Sequence, residues 1–126
     1  EVADNLLERA QANAEDNGIT NVHFRAADLY GENLAERWPA GIFDLVILDP
    51  PRSGAGPVLA HMAATGARRI VYVSCNPETL AQDARVLSAE HGYRLQAAGA
   101  MDMFPQTTHI EAMALFERDN GSDGGT

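Results

Sequence analysis

Three short segments hold the side chains able to do chemistry. The first is Val71-Tyr72-Val73-Ser74-Cys75-Asn76-Pro77, an apolar run that stops at the only cysteine of the chain. Asn76 can cap a helix whose first residue is Pro77, the helical position where proline fits best. That places the thiol of Cys75 between a strand end and a helix N-terminus, whose partial positive charge favours the ionised form of a thiol. The second is Asp49-Pro50-Pro51-Arg52-Ser53-Gly54, which follows another apolar run. The third is the 102–111 segment with Asp102, Phe104, His109 and Glu111. A thiol, carboxylates and an aromatic platform in one cleft suit covalent catalysis assisted by a base. Each residue also has a plain reading. Cys75 can be a small buried hydrophobe, Asp49 a strand end before proline, Glu111 a solvated edge carboxylate, His109 a surface histidine, and Phe104, Met101, Met103 and Met113 packing residues.

The elements that must position these residues alternate. Residues 3–17 read as an amphipathic helix with Leu6, Leu7, Ala10 and Ala14 on one face, stopped by Asn17-Gly18. Residues 22–26 alternate as a strand, and 30–37 read as a short helix or irregular turn. Residues 43–48 are a β-rich apolar run expected as a buried parallel strand, and 57–65 can form a helix. Arg69 to Val73 make the next strand. Pro77 to Glu90 make a helix with Leu80, Ala84 and Leu87 on one side, ended by Gly92. Tyr93 to Met101 and Ile110 to Phe116 are strands joined by the loop 102–109. Strand alternates with helix until the last two strands, which follow each other. That is the pattern of a parallel α/β sheet finished by an antiparallel strand. Ligands of such sheets gather at the carboxyl ends of the strands. The ends at Asp49 and Cys75 share that edge, and the third segment reaches it if the final hairpin folds over it.

Bulk properties narrow the function. The 126 residues suffice for one domain with a real core. No apolar stretch approaches the roughly 20 residues of a membrane span. A single cysteine forms no internal disulfide, which makes the cytoplasm the expected compartment. The net charge is -9, and the nine basic residues are all arginine. An acidic chain grips nucleic acid poorly through phosphates, so an RNA partner would have to be met by local arginines such as Arg52, Arg68, Arg69 and Arg85. No GxGxxG, P-loop or zinc-ligand spacing is present, and no metal is expected. The polar, glycine-rich residues 119–126 read as a disordered tail.

Taken together, Asp49-Pro50-Pro51-Arg52-Ser53-Gly54, Ser74-Cys75-Asn76-Pro77-Glu78-Thr79-Leu80 and Asp102-Met103-Phe104-Pro105-Gln106-Thr107-Thr108-His109-Ile110-Glu111 closely resemble the RNA uracil-C5 methyltransferases, over Glu1 to about Arg118. The resemblance implies a Rossmann-like class I methyltransferase sheet that uses S-adenosylmethionine to make 5-methyluridine in rRNA or tRNA. It makes Cys75 the nucleophile and Glu111 the base. Asp49 would contact cofactor and target base, and Arg52, Phe104 and Pro105 the RNA. Glu1 would meet the ribose of the cofactor and Asp28 its adenine region. The segment Phe104-Pro105-Gln106-Thr107-Thr108-His109 leans towards the rRNA branch. The family's strand order is 3-2-1-4-5-7-6, and its glycine-rich cofactor motif would precede Glu1. Residues 1–118 are therefore expected to be part of the catalytic domain, with a bare edge on the strand before Asp49 that invites self-association. Two other readings stand beside this one. Asp49-Pro50-Pro51 also occurs in amino-methyltransferases, although Arg52 replaces their aromatic residue, and the chain could be an inactive fragment or interaction domain. RNA cytosine-C5 methyltransferases fit less well, because Arg52 stands where their second cysteine would be.

Overall fold

A computed structural model describes residues 4–25, 29–30, 43–101 and 111–119. The chain divides into two compact units, 1–39 and 40–126. In the first, α1 spans Asp4–Asp16 and closes at Gly18, whose φ of +67° suits glycine. Its apolar face is only partly covered: Ala14 is buried, Leu7 and Ala10 are half-buried and Leu6 is exposed. Residues 22–25, expected as a strand, are irregular and exposed. Alternation alone does not make a strand, because the backbone groups need a ladder to pair with, and these residues have none among the described residues. The expected turn or helix at 30–37 falls almost wholly outside the described residues, as do the 102–110 segment and the tail from 120 onward.

The second unit holds the sheet. Its elements are β1 (Leu45–Leu48), α2 (Val58–Ala64), β2 (Arg69–Ser74), α3 (Pro77–His91), β3 (Arg94–Met101) and β4 (Glu111–Glu117). The strand order is β1-β2-β4-β3. β1 pairs parallel to β2, with Leu45 opposite Arg69 and Leu48 opposite Tyr72. β4 runs antiparallel to both neighbours. This matches the 4-5-7-6 half of the order the resemblance implies, antiparallel last strand included.

One face of the sheet carries the core. Ile70 and Tyr72 of β2, Phe116 and Ala114 of β4, and Val46 and Leu48 of β1 are buried together with Val58 and Leu59 of α2 and Leu87 of α3. Each large aliphatic side chain removed from water here contributes about 1.5–3 kcal/mol. The other face is far more open among the described residues: Leu45 and Ile47 of β1 are 47% and 66% exposed. The expected buried strand is parallel to its neighbour and is buried at Val46 and Leu48 but not at Leu45 and Ile47. Met101 and Met113, expected as packing residues, are exposed too.

At the far end of the sheet from Cys75, Arg118 ties elements together. Its guanidinium lies 4.4 Å from the Tyr93 ring centroid. It donates to the carbonyls of His91 at 3.1 Å and Ala63 at 2.8 Å, near the ends of both helices, where a cation meets the negative end of the helix dipole. Tyr93 donates its hydroxyl proton to the Ala67 carbonyl at 2.6 Å.

Candidate active site

α3 begins as its sequence dictates. Asn76 has extended backbone angles, its side-chain oxygen accepts the Glu78 amide at 3.1 Å, and Pro77 opens the helix. Cys75 sits between this cap and the last residue of β2, half-buried and with a free thiol. The turn around it is closed by Ser74, whose hydroxyl accepts the Asn76 amide at 2.9 Å and donates to the Asn76 carbonyl at 2.8 Å.

Glu111 reaches the same place from the opposite direction. The antiparallel register of β2 and β4 ends with Ser74 opposite Ala112. The ladder stops there, so Cys75 follows β2 at the rim where Glu111 begins β4. Glu111 is half-buried and pairs on its other side with Met101 of β3.

The proline loop is stitched to the cysteine turn. Asp49 follows β1 at the edge where β2 ends, and it is exposed. The Arg52 guanidinium donates to the Cys75 carbonyl at 3.3 Å. The Arg52 carbonyl accepts from the Asn76 side-chain amide and from the Thr79 hydroxyl, both at 3.0 Å. Three residues on, Ala55 donates its amide to the Asp83 carboxylate at 2.8 Å. The same Asp83 oxygen accepts a very short hydrogen bond from the Tyr72 hydroxyl.

The geometry thus brings Cys75, Glu111, Asp49 and Arg52 to one edge of one sheet. Glu1, Asp28, Phe104 and Pro105 lie outside the described residues, as do Asp102 and His109. Among the described residues no group of three or more His, Cys, Asp or Glu could hold a metal ion, and no helix is long and apolar enough to cross a membrane. Sequence reading missed Asp83, Tyr72 and Thr79. Asp83 had a visible signal: a carboxylate three residues after Leu80 and four before Leu87, on the apolar side of α3.

Comparison with known proteins places this edge in a lineage. Residues 1–119 match the model of the tRNA (uracil-5-)-methyltransferase family. The chain belongs to this family. Among similar proteins, the 23S rRNA (uracil(1939)-C(5))-methyltransferase RlmD of Alkalilimnicola ehrlichii is 56% identical over 119 residues, covering 94% of this chain and 27% of that protein. The enzyme of the same name from Pseudomonas aeruginosa is 58% identical over 113 residues, covering 89% of this chain and 25% of that protein. The chain spans about a quarter of the length of these uracil-5-methyltransferase relatives. Solved structures give the fold. The precorrin-6y C5,15-methyltransferase of Geobacter metallireducens superposes with a TM-score of 0.65 at 15% identity, over 94% of this chain and 65% of that one. The magnesium protoporphyrin IX methyltransferase of Synechocystis gives 0.63 at 14% identity, over 94% and 57%. The sheet of this family member is therefore the Rossmann-like sheet of class I methyltransferases.

Proposed function

We propose that this chain carries the reacting edge of an enzyme that methylates C5 of a uridine in RNA, with rRNA favoured over tRNA and S-adenosylmethionine as methyl donor. The reading is supported by the β2–β4 register, which ends with Ser74 opposite Ala112 and leaves Cys75 and Glu111 at one rim, in a chain more than half identical to 23S rRNA uracil-C5 methyltransferases.

The chemistry asks for such a pair. Uracil C5 is too weak a nucleophile to take a methyl group unaided. Addition of the Cys75 thiolate to C6 pushes electrons through C5 towards the C4 carbonyl and makes C5 an enolate carbon able to attack. S-adenosylmethionine, when bound, supplies the methyl group. Glu111 then removes the proton left on C5, and the electron pair of that C–H bond re-forms the C5–C6 double bond as the sulfur leaves. The thiol attacks above the ring plane, so the uridine must first leave its stack. Phe104 and Pro105 are assigned to support the extruded base. Asp49, exposed at the rim, is assigned to the target base and the cofactor, Glu1 and Asp28 to the cofactor, and Arg52 to the RNA beside the cysteine turn.

The test uses the intact protein with RNA containing 5-fluorouridine, whose C5 fluorine cannot be removed as a proton. A covalent adduct is expected, and Cys75→Ala abolishes it. On ordinary RNA, Glu111→Gln accumulates a methylated adduct. An adduct that survives Cys75→Ala removes the thiol from the reaction, and normal turnover of Glu111→Gln removes the base. If the chain is instead an amino-methyltransferase, loss of Cys75 is silent.

A further inference from the structure

We propose that Asp83 is a positioning residue for this site, holding the proline loop at a fixed height above the cysteine turn. The inference rests on the function proposed above and goes beyond it, because Asp83 lies in the second turn of α3, away from the reacting edge.

Asn76, Thr79 and Asp83 are spaced three and four residues apart, which puts them on one face of α3. All three grip the same loop. Asn76 and Thr79 hold the Arg52 carbonyl, and Asp83 holds the Ala55 amide. Asp83 is 8% exposed, and its oxygen also accepts a hydrogen bond from the hydroxyl of Tyr72, itself fully buried on β2 three residues before Cys75. One carboxylate oxygen therefore joins the strand that delivers the thiol, the helix that follows it and the loop that carries Asp49 and Arg52. A buried carboxylate is costly unless its acceptor capacity is used, which makes this an unlikely place for a carboxylate with no task.

Gly54 shows how tight the grip is. Its φ is +91°, and a Cβ there would stand 2.9 Å from the Asp83 oxygen and 3.3 Å from the Thr79 Cβ. A turn bond from the Gly54 amide to the Pro51 carbonyl at 2.9 Å leads back to the start of the loop. A displacement at 54–55 thus passes directly to Arg52 and Asp49. Reactions that depend on near-attack geometry lose about a hundredfold for a misplacement of about 1 Å.

The experiment follows the rate of adduct formation on 5-fluorouridine RNA at saturating RNA and S-adenosylmethionine, RNA affinity, thermal unfolding, and amide exchange at Ala55. Asp83→Ala is expected to slow adduct formation at least about tenfold, with RNA affinity within about twofold and faster Ala55 exchange. Asp83→Asn keeps an acceptor oxygen in place and is expected to restore most of the rate. Gly54→Ala is expected to slow the reaction similarly, and Gly54→Ala with Asp83→Ala to cost less than the product of the two single losses. A folded Asp83→Ala at wild-type rate overturns the proposal, and so does a rate that falls only in step with the unfolded fraction. Should Asp83→Ala not fold, Tyr72→Phe decides. It removes one proton from the network, and an unchanged adduct rate with unchanged Ala55 exchange overturns the positioning role. Failure of the unmodified protein to form any adduct would instead sink the proposed chemistry, and Ala55 exchange would still report on the clamp.

Discussion

Asn76 does two separable jobs, and two substitutions tell them apart. Its side-chain oxygen caps α3 by accepting the Glu78 amide. Its side-chain NH2 donates to the Arg52 carbonyl at 3.0 Å. Asn76→Ala removes both. Loss of an N-cap costs about 1 kcal/mol and loss of a neutral hydrogen bond about 1 kcal/mol, so the variant should be less stable by about 2 kcal/mol. With a urea slope of about 2 kcal/mol per molar, that lowers the midpoint by about 1 M. Asn76→Asp behaves differently. Aspartate caps as well as asparagine, and its charge at the helix N-terminus contributes about 0.3–1 kcal/mol. That roughly offsets the lost bond to Arg52, whose carbonyl still accepts from Thr79. The urea midpoint should stay close to that of the unmodified protein. The Asn76 strand of the loop stitch, however, is gone, because a carboxylate cannot donate to the Arg52 carbonyl. Adduct formation on 5-fluorouridine RNA should therefore fall by at least several-fold in a protein of normal stability. If Asn76→Asp lost as much stability as Asn76→Ala, the cap would not be the stabilising element. If it reacted at full rate, the stitch between the two loops would have no bearing on the chemistry.

Two further outcomes probe the fold itself. Burial raises the pKa of Tyr93 above the usual tyrosine value, against a smaller opposing effect of the Arg118 charge. A raised folded-state pKa means that the stabilising contribution is complete below about pH 10 and is lost as the pH climbs through the higher folded-state value. Tyr93→Phe should cost about 1 kcal/mol at neutral pH by removing the bond to Ala67 and should flatten the loss of urea stability between about pH 9 and about pH 11. An identical alkaline loss in the phenylalanine variant would assign that titration elsewhere. If copies of the chain meet along β1, Ile47→Lys should weaken that concentration-dependent association several-fold in sedimentation experiments, because charge on an edge strand opposes strand addition. A mass distribution unmoved by the substitution would mean that this edge is not where copies meet.

What the residues announced and what they hid differ for physical reasons. α3 was legible at both ends, because a cap and a proline at one end and a left-handed glycine at the other are local devices. Gly92 has the expected positive φ, 74°. The β4 strand was legible because its apolar run is flanked by polar segments. The strand expected at 22–26 failed because alternation describes one face of a sheet and says nothing about a partner. The apolar run at 43–48 predicts a buried strand, and β1 is buried only at Val46 and Leu48. The sheet packs on only one side of this strand among the described residues, and composition cannot say which side a neighbour covers. Asp83 was hidden among the leucines of α3 for the opposite reason: its task is set by tertiary contacts with Tyr72 and Ala55, 11 and 28 residues away.

The order β1-β2-β4-β3 explains why the last strand must run against the others. A strand parallel to β2 would begin at the edge far from Cys75 and deliver its last residue to the thiol. The antiparallel β4 begins at the near edge, so its first residue, Glu111, arrives next to the turn that closes β2. The residue that ends a parallel strand and the residue that starts an antiparallel neighbour meet at one rim without any long loop having to place either. The thiol is then anchored by Ser74 and Asn76 and the carboxylate by the β4 ladder. The turn is held by side-chain hydrogen bonds and the carboxylate by the regular backbone bonds of the ladder. That support is what the proposed two-step reaction at C6 and C5 would require, because the residues assigned as base and nucleophile would have to keep the separation of adjacent ring atoms through both steps.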